Sequence, residues 1–184
     1  MADDLAWRLA APIPGHDYKI FRTAFADGTN PRTGAITRFS LIDAGDWVNV
    51  IALTTDERVV MLRQYRPGID RVCLEIPGGM IDPGEDPLAA GLRELAEETG
   101  YTGGHAELIG KVAPNPAIQN NALYTVLVTG VTLTQPPEPD PGEVLAVHTA
   151  PIAEVLDQVR TGAIEHALVV VAFAHYVLRA TAAR

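Results

Sequence analysis

The run Arg93-Glu94-Leu95-Ala96-Glu97-Glu98-Thr99-Gly100 places three carboxylates within five residues. The glycine that ends it marks a helix C-terminus, where the macrodipole opposes each negative charge by ~0.3–1 kcal/mol. Arg93 and Glu97 are i,i+4 neighbours and can pair, which accounts for one acid. Glu94 and Glu98 stand at the same spacing, repel one another, and have no cation of their own in the run. Hard divalent cations such as Mg²⁺ take carboxylate and carbonyl oxygens, keep some water, and share ligands with substrate phosphates. A metal would supply the missing positive charge.

A helix must carry these residues. Asp86-Pro87 reads as its N-cap and first residue, and Gly100 as the residue past its end. Leu88, Leu92, Leu95 and Thr99 fall on one face, expected to pack on a sheet, while Gly91 is expected to leave the flank of Glu94 and Glu98 uncrowded. The runs "WVNVIAL", "RVVMLRQY" and "RVCLEI" before the helix read as strands, as do "AELIGKVA", "LYTVLVTGVTL" and "VLAVHT" after it. Helices are expected over "PIAEVLDQVR" and from about His166. Upstream, "YKIFRTAF" and "ITRFSLI" flank the turn-rich "ADGTNPRTGA", a hairpin or an arm. This order is α+β. It divides into a strand-rich segment over residues 1–45 and a main domain over 46–184.

With 184 residues and 47% hydrophobic content, one well-buried core is expected. The net charge of -9, with no Lys/Arg cluster, argues against a nucleic-acid or anionic-membrane surface. Cys73 is the single cysteine, set in an apolar strand-like run, so it reads as a packing residue and no internal disulfide can form. No signal peptide opens the chain, and "ALVVVAFAHYVL" is too short and interrupted for a membrane span, so a cytoplasmic protein is expected. The five histidines form no metal-ligand spacing.

Spacing is more specific than charge. From Gly79 five residues lead to Glu85, seven more to Arg93, and then Glu94, Glu97, Glu98 and Gly100 follow in fixed order. Seven such identities coincide by chance about once in 10⁹ start positions. The run 79–101 resembles the whole Nudix box, with Tyr101 where an aliphatic residue is commoner. The resemblance implies an α/β/α sandwich around a mixed sheet and hydrolysis of a nucleoside diphosphate linked to another group, with Mg²⁺ or Mn²⁺ as cofactor. It also implies that Glu94 and Glu98 bind metal, that the Gly78 carbonyl contributes a ligand, that Glu97 ligates or supports, and that Arg93 with Glu85 holds the loop-helix geometry.

"WVNVIAL", "RQYRPG", "LEIPGG" and "PNPA" extend the resemblance to the ADP-ribose and nucleotide-sugar pyrophosphatase branch. Pro116 stands where a proline accompanies ADP-ribose-like substrates. Arg66 resembles a phosphate-contacting arginine, its other reading being a surface ion pair, and Trp47 an adenine-stacking aromatic, its other reading being core. Where many relatives have Ser-Pro-Gly and then an acid, this chain has Asn115-Pro116-Ala117 and Gln119-Asn120-Asn121, so Asn120 could read sugar hydroxyls differently. Hydrolysis of a GDP-sugar or dinucleoside polyphosphate, or a non-catalytic ADP-ribose-sensing domain, are the alternatives. The branch further implies a homodimer in which N-terminal segments exchange, and a general base on a loop after the box. In "TQPPEPDPGE" that base is expected to be Glu143, with Glu97 of the box as the other candidate.

Overall fold

The computed structural model describes residues 5–182, and the chain divides into two compact units. One holds the residues up to Gly45 together with Ala113–Ala122, and the other holds Asp46–Val112 with the residues from Leu123 onward. The division is therefore not linear in sequence.

In the first unit, β1 (Arg8–Leu9), β2 (Ile13–Asp17), β3 (Phe21–Thr29) and β4 (Ile36–Ala44) form an antiparallel sheet. β3 is its centre, paired along its whole length with β4 and along its other edge with β1 and β2 in succession. The Asn30 side chain closes the β3–β4 hairpin by accepting the Arg32 and Thr33 N–H groups at 2.9 and 3.1 Å, and Gly34 supplies a positive φ of 72°. The open choice between hairpin and arm resolves as a hairpin. Leu9, Ile13, Ile20, Phe25 and Ile36 of this unit stay exposed.

The second unit is built on β5 (Trp47–Thr54), β6 (Arg58–Arg66), β7 (Arg71–Glu75), β8 (Gly78–Met80), α1 (Pro87–Thr99), β9 (Tyr101–Thr102), β10 (His105–Val112), β11 (Leu123–Leu133), β12 (Leu145–Pro151), α2 (Ile152–Thr161) and α3 (Ala167–Ala182). Its main sheet runs β10-β11-β5-β6-β12 and is mixed, because β11 and β5 are parallel. Strand alternation divides the core. Val48, Val50, Ala52, Val126 and Val128 point to α1, while Ile51, Leu53 and Leu127 point to α2 and α3. The result is a sandwich of helices about a sheet.

β5 and β6 share a single register pair, Leu53↔Val59. Beyond it each takes another partner, β6 pairing with β7 and β5 with the short β8. The chain that crosses this split, Ile76-Pro77-Gly78, delivers Gly78 beside α1.

Asp86 caps α1 by accepting the Leu88 and Ala89 N–H groups, and Gly100 ends it at φ 74°. The buried face differs from the expected one: it is Ala90, Gly91, Leu95, Glu98 and Thr99, with Leu88 and Leu92 only partly covered. Gly91 does not serve the acidic flank. A Cβ there would lie 3.2 Å from methyls of Val48, Val50 and Val126, so its role is to let the helix approach the sheet. Among the described residues no helix is long and apolar enough to cross a membrane.

The packing gives a direct contrast. Leu95→Ala is expected to cost ~2–5 kcal/mol in urea unfolding, as for a fully buried leucine. Leu88→Ala is expected to cost under about 1 kcal/mol; equal losses would show that the helix turns its other face inward.

Candidate active site

Gly78 and Gly79 pair with Asn49 and Val48 across the β8–β5 ladder. A Cβ on Gly78 would lie 2.4 Å from the Val48 carbonyl oxygen, and one on Gly79 would lie 2.4 Å from a Glu94 carboxylate oxygen. Gly78 thus lets β8 lie close against β5, and Gly79 leaves room for the helix's Glu94 carboxylate. The Gly78 N–H then donates to Glu98 Oε2 at 2.8 Å.

Glu98 is 2% exposed. Burial pushes its carboxyl up to about 8, against the Gly78 N–H, which pulls the other way; the charges of Glu94 and Glu143 add to the rise, and Arg66 opposes it. Glu94 is raised for the same first reason, with Arg93 opposing. Both carboxylates are therefore costly to ionise together.

Arg93 organises the acids around them. Its guanidinium donates to Glu85 through Nε at 3.0 Å and Nη2 at 3.1 Å, to Glu94 Oε1 at 2.9 Å, to Glu97 Oε2 at 3.0 Å, and to the Met80 carbonyl at 3.2 Å. Glu85 also accepts the Asp82 N–H at 3.1 Å, so loop and helix are clamped together, and Arg93 foremost holds the Glu85 carboxyl below its usual range. Glu97 is the most solvated acid of the group, its side chain 47% exposed.

Among the described residues no three or more His, Cys, Asp or Glu side chains are gathered as a ready cage for a metal. The donors present are the carboxylates of Glu94 and Glu98. Mg²⁺ characteristically binds one or two carboxylates and completes its shell with water and phosphate oxygens, so this donor set fits it.

Glu143 is partly covered at the end of the β11–β12 loop, near enough for its charge to act on both Glu94 and Glu98. Arg66 lies near Glu98 and makes a fork to Glu75, Nε to Oε1 at 2.7 Å and Nη2 to Oε2 at 2.6 Å. Glu75, 3% exposed, was not anticipated from the sequence. Its signal was a lone acid in an apolar strand, which must find a partner when buried. Trp47 is half-buried opposite Met80, one ladder position from Gly79.

Pro116 and Asn120 belong to the first unit, where they line a pocket of about 850 Å³ with Arg22, Leu41 and Asp43. The Asn120 amide is engaged within that unit, donating to Asp43 at 2.6 Å and accepting the Ala44 N–H at 3.2 Å.

A family model described as NUDIX domain matches residues 45–172. The mouse (Mus musculus) protein named ADP-sugar pyrophosphatase is 38% identical over 116 residues, 60% of this chain and 53% of that protein. The Bacillus subtilis protein named ADP-ribose pyrophosphatase is 32% identical over 88 residues, 48% of each. The chain spans about half the length of these curated relatives. A crystal structure described as that of an ADP compounds hydrolase superposes with a TM-score of 0.79 at 20% identity, covering 94% of this chain and 92% of that one, which establishes the shared fold.

The raised Glu98 carboxyl has a consequence for stability. Its ordinary value is 4.5, so between that and about pH 8 the folded protein retains a proton that the unfolded chain has lost, and stability falls as pH rises through this window. Thermal melts in chelator between pH 5 and 8 should show a steeper decline for the wild type than for Glu98→Gln, which keeps an oxygen for the Gly78 N–H. Parallel slopes would mean that Glu98 ionises freely.

Proposed function

Because the chain belongs to the Nudix family, we propose that it is a Mg²⁺- or Mn²⁺-dependent pyrophosphohydrolase that cleaves ADP-ribose or a related nucleoside diphosphate sugar to a nucleoside monophosphate and a sugar phosphate. The observation that carries this reading is the covered pair Glu94 and Glu98 on one flank of α1, with the Gly78 N–H on Glu98 and the charge of Glu143 acting on both. The names of the relatives support the substrate class.

Glu94 and Glu98 would hold the cation, with the Gly78 carbonyl as a further ligand and Glu97 in support. When bound, a divalent cation supplies positive charge that offsets these carboxylates and the diphosphate and favours ionisation of water. The chain's own groups do the rest. Arg93 and Glu85 fix the loop against the helix, so that the glutamates do not rearrange during the reaction. Glu143 accepts the proton of the attacking water as its oxygen bonds to phosphorus, while the bond from that phosphorus to the bridging oxygen breaks. The Arg66 fork leaves Nη1 outside its bond to Glu75, able to meet a phosphate oxygen. Trp47 offers a face to the base, and Pro116 and Asn120 contribute to substrate recognition.

We also infer a cytoplasmic homodimer formed through the strand-rich segment over residues 1–45, whose sheet leaves Ile13, Ile20 and Ile36 exposed in a single chain. Light scattering at micromolar concentration should give twice the chain mass; a monomer would refute it.

A panel of ADP-ribose, ADP- and GDP-sugars, dinucleoside polyphosphates and nucleoside triphosphates tests the reaction. Turnover is expected with the nucleoside diphosphate sugars; activity on triphosphates alone would overturn the substrate class, and binding of ADP-ribose without cleavage would make the chain a sensor. Glu143→Gln should lower kcat by ~10²–10⁴ with little change in substrate affinity. Near-native kcat in that variant, with Glu97→Gln inactive, would move the base to Glu97.

A further inference from the structure

The loop from β11 to β12 carries prolines at 136, 137, 139 and 141. Across Pro136-Pro137-Glu138-Pro139 the only backbone N–H is that of Glu138, and it donates to the Glu97 carbonyl at 2.7 Å. Just before it, the Thr134 and Gln135 N–H groups donate to the Gly100 carbonyl at 3.1 and 3.4 Å. The last carbonyls of a helix have no partner within it, so this loop satisfies the end of α1. The approach is close: a Cβ on Gly100 would lie 2.0 Å from the Gln135 carbonyl oxygen.

Proline fixes its own φ and keeps the residue before it extended, so Pro139 and Pro141 leave Gly142 as the one permissive residue between this attachment and the end of the loop. There the Glu143 N–H donates to the Asp140 carbonyl at 2.8 Å, and the Asp140 N–H to Glu143 Oε2 at 3.3 Å. The path from Glu97 to the Glu143 carboxylate is thus short and stiff. The Glu138 side chain itself is exposed.

We propose that Pro136–Glu143 is a strap, hung on the last turn of α1 by the Glu138 N–H, that sets where the Glu143 carboxylate stands relative to Glu94 and Glu98. Glu138 is then a positioning residue that acts through its backbone and not through its acid. The inference rests on the reading of Glu143 as the base.

Two variants separate backbone from side chain. Glu138→Ala keeps the N–H and should hold kcat within about twofold of wild type, whereas Glu138→Pro removes the N–H in a run already proline-rich and should lower kcat about tenfold or more with KM within about threefold. Full kcat in Glu138→Pro, or an equal loss in Glu138→Ala, would overturn the strap. A readout independent of turnover is amide exchange by NMR in the metal-free wild type, which also decides the matter if the proline variant does not fold. The Glu138 amide should exchange about a hundredfold or more slower than in an unstructured peptide, and exchange at the free rate would overturn the proposal. If Glu143→Gln keeps wild-type kcat, the base assignment fails; if it is inactive while Glu138→Pro is fully active, only the strap fails.

Discussion

Glu98 sits on the buried face of α1 and presents its carboxylate to the Gly78 N–H. Removing a carboxylate from water is worth several kcal/mol against folding unless a partner offsets it, and one N–H does so only in part. Much of the second unit is arranged to make that placement possible. β5 and β6 part after one register pair so that Gly78 can enter against β5, Gly91 lets the helix lie close to the valines of β5 and β11, and Gly79 leaves room for the Glu94 carboxylate. A cation would offset the burial that raises the Glu98 carboxyl, which ties the fold to the proposed chemistry.

Arg93 complements this arrangement from the solvent side. One guanidinium reaches Glu85, Glu94, Glu97 and the Met80 carbonyl, so the loop before the helix and the acids upon it form one network. A lysine could not span these acceptors with a planar fork, so the fixed arginine has a geometric reason. Arg66 and Glu75 repeat the device on the neighbouring hairpin.

The ends of α1 were legible because Asp86 and Gly100 carry local signals that tertiary packing did not override. The box spacing likewise specified which acids would gather. The buried face of α1 was not legible, because Leu88 and Leu92 dominate a pattern count while the close contact is made by a glycine, which scores as no hydrophobe. The Arg66–Glu75 fork joins residues across a hairpin, and no periodicity announces it. β2, exposed along its whole length, lacks the apolar alternation that betrays a half-buried strand. The association of Ala113–Ala122 with the N-terminal sheet depends on contacts with residues far earlier in the chain, such as Asn120 with Asp43, 77 positions away, and is invisible locally.

On this reading Glu94, partly covered, and Glu98, buried, together form a cation site. Thermal unfolding at fixed pH with and without millimolar Mn²⁺, in the wild type and in Glu98→Gln, tests it most directly, since a ligand that binds only the folded state raises its stability by mass action. A clear rise in Tm is expected for the wild type and little or none for the variant. A rise of equal size in both, or no rise in either, would contradict it.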